Sequence, residues 1–276
     1  MNHELGIMPK KNLGQNFLKN KKILAEIARA AELSKKDTVL EVGPGHGELT
    51  EFLAERAGKV IAVEKDRDLI EPLKEKFKAK KNVKIIEGDI LKIHNSKFII
   101  HNSEFKIVAN LPYYIASHFL RKFLPQPQAR FRARASMMVL MVQYEVAKRI
   151  CASPPDTNPV RSGLASNGMN LLALSVQAYG KPKFIKKVSR GNFSPAPNVD
   201  SAIVKISEIS DNFFKKNKIN QKKFFEMLRA AFQQKRKMLR RLLKSHFNNN
   251  LPSLYQKKRP EELSLEDWKN LYQLYR

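Results

Sequence analysis

The part of this 276-residue sequence with the most chemical content is Asn-Leu-Pro-Tyr-Tyr at positions 110–114. It follows the apolar run Phe105–Ala109, which predicts a buried strand, so Asn110 stands at the strand's carboxyl end. The Asn110 side chain and the Leu111 carbonyl are two neutral hydrogen-bond acceptors. Pro112 fixes the backbone beside them, and Tyr113 offers a flat aromatic face.

Two acceptors directed at one amine suit methyl transfer to the N6 atom of adenine. That amine is a poor nucleophile because its lone pair is delocalised into the ring, and acceptors from Asn110 and Leu111 draw it toward a tetrahedral state. Transfer itself makes the nitrogen acidic, so no strong base is required. Tyr113 would stack on a base extruded from its helix. The same residues also fit a plain strand-end turn with aromatic side chains in the core.

A glycine-rich turn follows the first predicted strand, in the segment Glu41–Thr50 (EVGPGHGELT). Gly43, Gly45 and Gly47 allow close approach of a ligand to the backbone, and the amides of the next helix face it. The spacing is G-x-G-x-G, whereas the dinucleotide fingerprint is G-x-G-x-x-G. Pyrophosphate binding and a nicotinamide dehydrogenase are therefore disfavoured, and a simple tight turn remains an alternative.

Two carboxylates stand at the ends of the next two predicted strands. Glu64 is placed to accept hydrogen bonds from a ribose diol, and Asp89 is placed to meet the amino group of an adenine ring. Together with the glycine turn they suit S-adenosylmethionine, whose positive sulfonium favours nearby negative charge. Both residues are also compatible with helix N-caps.

Short apolar runs alternate with helical patterns, which predicts an α/β protein with a mostly parallel, Rossmann-like sheet. The predicted strands are Thr38–Val42, Val60–Glu64, Val83–Glu87, Phe105–Ala109 and Met137–Gln143, and the predicted helices are Leu49–Ala57 and Asp66–Ala79. Leu171–Tyr179 and Ser201–Ile206 are expected to close the sheet as an antiparallel pair, with a loop between them.

After Ile206 the pattern changes. Ser207–Asn220 is polar and suits a linker, and Gln221–Lys244 places its apolar residues along one helical stripe. A last helix is expected to begin at a Ser264 cap with Trp268 facing inward. We therefore predict a catalytic domain over residues 1–206 with an N-terminal arm, and a small all-α domain over residues 207–276.

The formal net charge of +26 indicates a polyanionic partner, either nucleic acid or an anionic membrane. No apolar run is long enough to span a bilayer, and the N-terminus lacks the apolar stretch of a signal peptide. The single cysteine, Cys151, excludes an internal disulfide and a cysteine-rich metal site. We expect a cytoplasmic protein without a metal.

Taken together, these motifs resemble the family of ribosomal RNA adenine N6,N6-dimethyltransferases. The resemblance rests on the segments Asn12–Leu18 (NLGQNFL), Glu41–Gly47, Gly88-Asp89, Asn110–Tyr114, Val142–Ala147 (VQYEVA), Phe193–Ala202 (FSPAPNVDSA) and Ala230–Lys237 (AAFQQKRK), together with Glu64. The glycine turn is shared with many methyltransferases, whereas the combination of GQNFL, NLPYY and FSPAPNVDSA is specific.

The resemblance implies a seven-stranded class I methyltransferase sheet followed by a small helical domain. It implies that Asn16 and Leu18 of the arm complete the cofactor site, and that Phe193 faces the target base opposite Tyr113. Phe193 also fits a core position that anchors its loop. One branch of the family dimethylates two adjacent adenosines in the 3′-terminal hairpin loop of small-subunit rRNA and acts in subunit assembly. The other modifies a large-subunit adenosine and confers macrolide resistance.

Twelve Lys or Arg residues and one acid lie between Lys215 and Lys244. A helix face exposed to solvent would explain such a run. Because the chain also has a predicted binding site for a nucleotide base, we expect these cations to contact RNA phosphates. The predicted RNA-binding residues are Lys235, Arg236, Lys237, Arg240 and Arg241, with further contacts from Arg130, Arg132 and Arg134 and from the arm residues Lys10, Lys11, Lys19, Lys21 and Lys22. Lys235→Ala combined with Arg236→Ala should weaken RNA binding and spare cofactor affinity.

The basic helical run and the form NLPYY favour the small-subunit branch, with the small ribosomal subunit as partner and a monomer as the expected state. Large-subunit methylation and an assembly factor with secondary catalysis remain alternatives. A DNA adenine methyltransferase is less favoured because no separate target-recognition domain is evident. Two segments depart from the family pattern: Arg121–Arg134 is unusually basic, and the Pro154–Gly168 loop is long.

Overall fold

The computed structural model describes residues 8–10, 13–92, 104–124, 135–155, 168–234, 237–243 and 251–274. The strands are β1 Phe17–Leu18, β2 Thr38–Val42, β3 Lys59–Glu64, β4 Val83–Glu87, β5 Phe105–Asn110, β6 Ala135–Gln143, β7 Lys181–Val188, β8 Phe193–Ser194 and β9 Ser201–Ser207. The helices are α1 Lys21–Ala30, α2 Glu48–Arg56, α3 Ile70–Lys76, α4 Ala116–Phe123, α5 Tyr144–Ile150, α6 Leu171–Gln177, α7 Asn212–Lys216, α8 Gln221–Ala231, α9 Leu239–Leu242, α10 Ser253–Gln256 and α11 Leu265–Leu274.

Seven strands form one sheet in the order β4-β3-β2-β5-β6-β9-β7. The five strands from β4 to β6 are parallel, and β9 pairs antiparallel with both β6 and β7. The chain moves outward from β2 to β4 and then returns to the other side of β2 with β5. This reversal opens a crevice at the carboxyl ends of β2 and β5, where ligands bind in sheets of this kind.

Alternate residues of the central strands point to opposite faces of the sheet, and both faces are buried. In β2, Val39 joins a core cluster with Ile27 of α1 and Leu53 of α2, whereas Leu40 joins the cluster on the opposite face. That second cluster includes Phe119 of α4. Because both faces are covered, the parallel strands contain nearly continuous apolar runs, as the sequence predicted.

The predicted strand at Leu171–Tyr179 is wrong, because Leu171–Gln177 forms the helix α6. The Asn170 side chain caps this helix by accepting from Ala173 N at 3.0 Å. The strand in that part of the sheet is Lys181–Val188 instead, within the segment that we expected to be a loop. A short apolar run does not distinguish a buried helix from a buried strand, whereas lysines along an exposed edge strand mask its pattern.

The predicted continuous helical stripe over Gln221–Lys244 is also wrong. Helix α8 ends at Ala231, and the ring of Phe232 then packs against Trp268 with centroids 6.0 Å apart. Helix α9 begins separately, and its Leu239 N donates to Lys258 O at 2.9 Å. The tertiary contacts at Phe232 and Leu239 therefore divide a pattern that is helical in the sequence alone.

The predicted polar linker at Ser207–Asn220 contains the helix α7, whose Phe214 is buried against the rings of Tyr179 and Phe224. The last helix begins after Ser264 as predicted: Ser264 Oγ accepts from Asp267 N at 3.1 Å, and Trp268 is buried. One core cluster joins Ile206, Phe214, Phe224 and Trp268. The division of the chain at residues 206 and 207 stays a prediction.

Candidate active site

A cleft opens at the carboxyl edge of β2, β3, β4 and β5, and the N-terminal arm (the described residues 8–10 and 13–20) lies across it. Its lining includes Gly14, Gln15, Asn16, Phe17, Gly43, Gly45, Glu64, Lys65, Asp89, Asn110, Leu111, Pro112, Tyr113 and Tyr114. The cleft thus combines the predicted cofactor residues with the Asn-Leu-Pro-Tyr segment, as expected if parallel strands deliver their ends to one edge.

The glycine turn forms the floor of the cleft. Gly43, Gly45 and Gly47 all have positive φ angles, between +61° and +85°, which favour glycine at each position. A Cβ atom on Gly43 would meet no heavy atom within 4 Å, so this position faces open space. A Cβ atom on Gly45 would lie 2.9 Å from the Phe17 ring. The turn therefore faces open space on one side and the arm on the other.

Glu64, at the end of β3, is held by three backbone amides. Its Oε1 accepts from Lys65 N and Asp66 N, both at 2.8 Å, and its Oε2 accepts from Gly45 N at 3.1 Å. Burial raises the pKa of this carboxyl, and the three amides oppose that effect. Each oxygen keeps further acceptor capacity, so the carboxylate can receive hydroxyl groups without rearranging.

Asp89 follows β4 and borders the same cleft. Its Oδ1 accepts from Leu91 N at 2.9 Å, and its Oδ2 lies 3.1 Å from Lys65 Nζ. Burial alone would raise its pKa, but these two donors outweigh burial and lower the pKa. The Lys122 Nζ of α4 donates to the carbonyls of Ile90 and Leu91 at 2.9 and 2.7 Å, which fixes the segment that carries Asp89.

Asn110 ends β5 and presents its side chain toward the arm. Its Nδ2 donates to Asn16 O at 3.1 Å, and within the described part of the chain no donor reaches its Oδ1. Leu111 N donates to Met141 O at 3.1 Å, which fixes the peptide between Asn110 and Leu111. Pro112 has φ −54° and ψ 132°, an extended conformation, and the short 3-10 helix Tyr113–Ile115 follows it.

The two tyrosines of this segment differ in their surroundings. Tyr113 is partly buried, and its Oη lies 2.8 Å from Ser201 Oγ at the start of β9. Burial raises the pKa of Tyr113, with the Ser201 hydroxyl partly opposing the effect. Tyr114 is 54% exposed and packs beside Gly14, where a Cβ atom would lie 3.2 Å from its ring. Tyr113 is thus the oriented ring and Tyr114 the exposed one.

Two predicted site residues do not line the cleft. Leu18 and Phe193 are both buried in the core, and they pair in a two-stranded ladder formed by β1 and β8. This ladder joins the arm to the Phe193–Ala202 segment, and Lys19 N adds a bond to Asn192 O at 3.0 Å. The roles predicted for Leu18 in cofactor binding and for Phe193 beside the base remain predictions.

The predicted RNA-binding residues lie outside the cleft or outside the described residues. Lys237, Arg240 and Arg241 are exposed on α9 and the turn before it. Lys11, Arg130, Arg132, Arg134, Lys235, Arg236 and most of the Pro154–Gly168 loop are not among the described residues. Lys19, Lys21 and Lys22 are exposed, whereas Lys10 contacts Asp66 and Asp68 at 2.6 Å each.

Sequence reasoning missed several residues that organise the site. Gln15 and Ser201 contact Asp66 and Tyr113 respectively, and both lie inside motifs that the resemblance had singled out. Lys65 and Lys122 support Asp89, although the sequence singled out Lys122 only as part of a basic segment.

No metal-binding group of three or more His, Cys, Asp or Glu side chains occurs in the described ranges. Among those residues no helix is long and apolar enough to cross a membrane.

Comparison with solved structures identifies the class of protein. The chain resembles a dimethyladenosine transferase from Plasmodium falciparum, with a TM-score of 0.73 and 27% identity over 92% of this chain and 95% of that chain. It also resembles the 23S rRNA methyltransferase ErmE, with a TM-score of 0.69 and 25% identity over 94% of this chain and 99% of that chain. The sheet order and the cleft are therefore those of a class I methyltransferase.

The family follows from sequence. The family model described as ribosomal RNA adenine dimethylase matches residues 8–275. A relative from Dehalococcoides mccartyi (strain ATCC BAA-2266 / KCTC 15142 / 195), named ribosomal RNA small subunit methyltransferase A, is 42% identical over 96% of this chain and 88% of its own length. A relative of the same name from Clostridium botulinum (strain Kyoto / Type A2) is 38% identical over 95% of this chain and 92% of its own length. The chain belongs to the ribosomal RNA adenine dimethylase family and is an rRNA adenine dimethyltransferase that uses S-adenosylmethionine.

The residues of the cleft fit this cofactor. Gly43 leaves open space beside the turn, which a side chain would fill. The Glu64 carboxylate, held by backbone amides, would accept hydrogen bonds from a ribose diol, and the Asp89 carboxylate would accept from an amino group. The negative charge of both residues suits a positive sulfonium. Asn16 reaches the same cleft from the arm.

Proposed function

We propose that this protein dimethylates the N6 atoms of two adjacent adenosines in the 3′-terminal hairpin loop of small-subunit rRNA. In this proposal the methylation takes place in the cytoplasm. The enzyme acts as a monomer and takes part in small-subunit biogenesis. Support for the small subunit comes from the names of relatives that are 42% and 38% identical over nearly the whole chain. The observation that carries the chemistry is the position of Asn110 at the rim of the cofactor cleft.

The Asn110 amide is oriented to accept. Since its Nδ2 is bound to Asn16 O, its Oδ1 points away from that contact and can receive one hydrogen of the target amine. The Leu111 carbonyl supplies the second acceptor, and Leu111 N holds this residue against β6 by its hydrogen bond to Met141 O. These two oxygens localise the amine lone pair on nitrogen.

S-adenosylmethionine, when bound, supplies a methyl group activated by the positive sulfonium. Tyr113 holds the adenine ring by stacking, and Ser201 fixes the tyrosine at its hydroxyl. The methylated nitrogen then loses a proton to water, so Asn110 need not act as a base. A neutral amide suits this role because it polarises the amine without protonating it.

Outside the cleft, we assign RNA contact to the exposed Lys and Arg side chains of the helical part of the chain, residues 207–276. Lys237, Arg240 and Arg241 are exposed and make no ion pair within the described residues. Cations of this kind position RNA through its phosphates and do not read its sequence. We assign residues 207–276 to RNA binding and residues 1–206 to catalysis.

The test of the substrate is transfer of tritiated methyl groups to undermethylated small ribosomal subunits, followed by nucleoside analysis. We expect dimethyladenosine in the small subunit alone, and its loss in the Asn110→Ala variant. Label in the large subunit would instead support the alternative suggested by the likeness to ErmE. Tight subunit binding without label would favour an assembly factor.

The test of RNA contact is the double variant Arg240→Ala with Arg241→Ala. We expect affinity for the small subunit to fall about tenfold at physiological salt, with a shallower salt dependence. Cofactor affinity should not change. Lys80→Ala with Lys81→Ala is the matched control, since both lysines are exposed just before β4, an edge strand of the sheet. Equal losses in the two double variants would contradict the assignment.

A further inference from the structure

Among the contacts that hold the arm, one is made by a buried carboxylate next to the sheet, that of Asp66. We propose that Asp66, acting through Gln15, is a positioning residue that holds the arm so that Asn16 orients the Asn110 amide. The inference rests on the role proposed above for Asn110. It assigns Asp66 no contact with substrate or cofactor.

Asp66 is 1% exposed and receives the arm at both carboxylate oxygens. Its Oδ1 accepts from Lys10 Nζ at 2.6 Å, and its Oδ2 accepts from Gln15 Nε2 at 2.7 Å. Lys10 N in turn donates to Gln15 Oε1 at 2.7 Å. The three residues form a closed ring of hydrogen bonds, which fixes both functional atoms of the Gln15 side chain.

This ring is connected to both halves of the cleft. On the cofactor side, Asp66 N donates to Oε1 of Glu64 at 2.8 Å. On the base side, Asn16 is the neighbour of Gln15, and its carbonyl accepts from Asn110 Nδ2 at 3.1 Å. A short path through Asp66, Gln15 and Asn16 therefore joins the ribose-binding carboxylate to the amide that accepts from the target base.

This path matters because an asparagine amide has two nearly equivalent orientations. The terminal torsion of asparagine is broad and roughly two-fold, so its oxygen and nitrogen exchange places at little cost. In the exchanged orientation Asn110 would present a donor to the target amine, which cannot accept its hydrogen productively. The Asn16 carbonyl selects the useful orientation, and it does so only while the arm is held in place.

Asp68 provides a matched comparison. It also binds Lys10 Nζ at 2.6 Å, but it is 57% exposed and makes no bond to Gln15. If charge near Lys10 were all that mattered, loss of either carboxylate would have the same effect. If the ring positions Gln15, only Asp66 is required.

The experiment compares Gln15→Ala, Asp66→Ala, the double variant and Asp68→Ala. Cofactor dissociation constants are measured by calorimetry, and kcat is measured with both substrates saturating. We expect kcat to fall about tenfold in Gln15→Ala and in Asp66→Ala, and the double variant to be no worse than Asp66→Ala because the two residues act as a unit. Asp68→Ala should keep kcat within about twofold.

Three outcomes would overturn the inference. They are an unchanged kcat with only a lower melting temperature, losses in kcat that multiply in the double variant, and an Asp68→Ala variant as impaired as Asp66→Ala. Gln15→Ala keeps the test valid if Asp66→Ala fails to fold, since Gln15 lies in the arm. Failure of the proposed function is seen separately, in wild-type protein that labels another RNA; the comparison of variants is then run on the RNA that accepts the label.

Discussion

The two halves of the cleft are built differently. On the side where we propose that the cofactor binds (the cofactor side), Glu64 is 6% exposed and is held by three backbone amides, and the glycine turn beside it is fixed by backbone geometry. On the side where we propose that the target base binds (the base side), Asn110 is oriented by one carbonyl from the arm, and Tyr113 by one hydroxyl from Ser201. Tyr114 is largely exposed.

The difference matches what each half must bind. A small cofactor gains affinity from a preformed, buried site, because little ordering is needed on binding. An adenosine within a ribosomal subunit needs an open approach, and its position depends on contacts made elsewhere on the protein. We therefore expect substitutions on the cofactor side to act on cofactor affinity and substitutions on the base side to act on kcat.

The largest effect should come from Asn110→Ala. The variant loses the acceptor for the target amine, so kcat should fall about 100-fold or more, as for removal of one preorganised polar group in other active sites. Methyl transfer at saturating cofactor and RNA measures this. Asn110→Asp keeps an acceptor oxygen but loses the donor to Asn16 O, so it should also lose activity, though less than Asn110→Ala. Activity of Asn110→Ala close to that of the wild type would contradict the role of Asn110.

Glu64→Gln should weaken cofactor binding by about 10- to 100-fold, the range for loss of charge-assisted hydrogen bonds. Glutamine has one acceptor oxygen where glutamate presents two to the amides of Gly45, Lys65 and Asp66. The kcat at saturating cofactor should change less than fivefold. Calorimetry with S-adenosylmethionine measures the affinity. A large fall in kcat with unchanged affinity would contradict the division between the halves.

Much of the cofactor side could be predicted from the sequence because its determinants are local. Glycines after a strand and a carboxylate at the end of the next strand are read directly from spacing, and parallel pairing brings them to one edge. The structure places Gly43, Gly45, Glu64 and Asp89 around one cleft, as the sequence indicated.

The contacts that organise the base side could not be predicted, because they join residues far apart in the chain. Tyr113 meets Ser201 across 88 positions, and Asn110 meets Asn16 across 94. Spacing carries no information about such pairs. The same limit explains the error at Leu171–Tyr179, since only pairing with β9 shows that Lys181–Val188 is the strand.

A third prediction concerns Glu41, which lies buried in β2 below the glycine turn. Its oxygens make no well-aligned hydrogen bond within the described residues. Burial raises its pKa from 4.5 to about 8, with the nearby Thr50 hydroxyl opposing the effect and Glu64 adding to it. The native state therefore holds a proton that the unfolded chain releases between these two pH values, and stability falls as pH rises through that window.

Glu41→Gln removes this titration. Relative to wild type, the free energy of unfolding of the variant should rise by more than about 1 kcal/mol between pH 5 and pH 8. Urea denaturation at a series of pH values measures the difference. Glu55→Gln, at an exposed position of α2, is the control for loss of one carboxylate. Parallel pH curves for wild type and Glu41→Gln would contradict the prediction.

The smallest effect, and the finest test of the comparison, is Tyr113→Phe. The ring and its stacking face remain, and only the bond to Ser201 Oγ is lost. A hydrogen bond of this kind contributes about 1 kcal/mol, so kcat/KM for RNA should fall about fivefold while cofactor affinity stays unchanged. Ser201→Ala should reproduce that loss, and the double variant should add little to it, because one contact is removed in all three. If each single variant instead lowers cofactor affinity, the Tyr113 hydroxyl belongs to the cofactor side and the boundary between the two halves lies elsewhere.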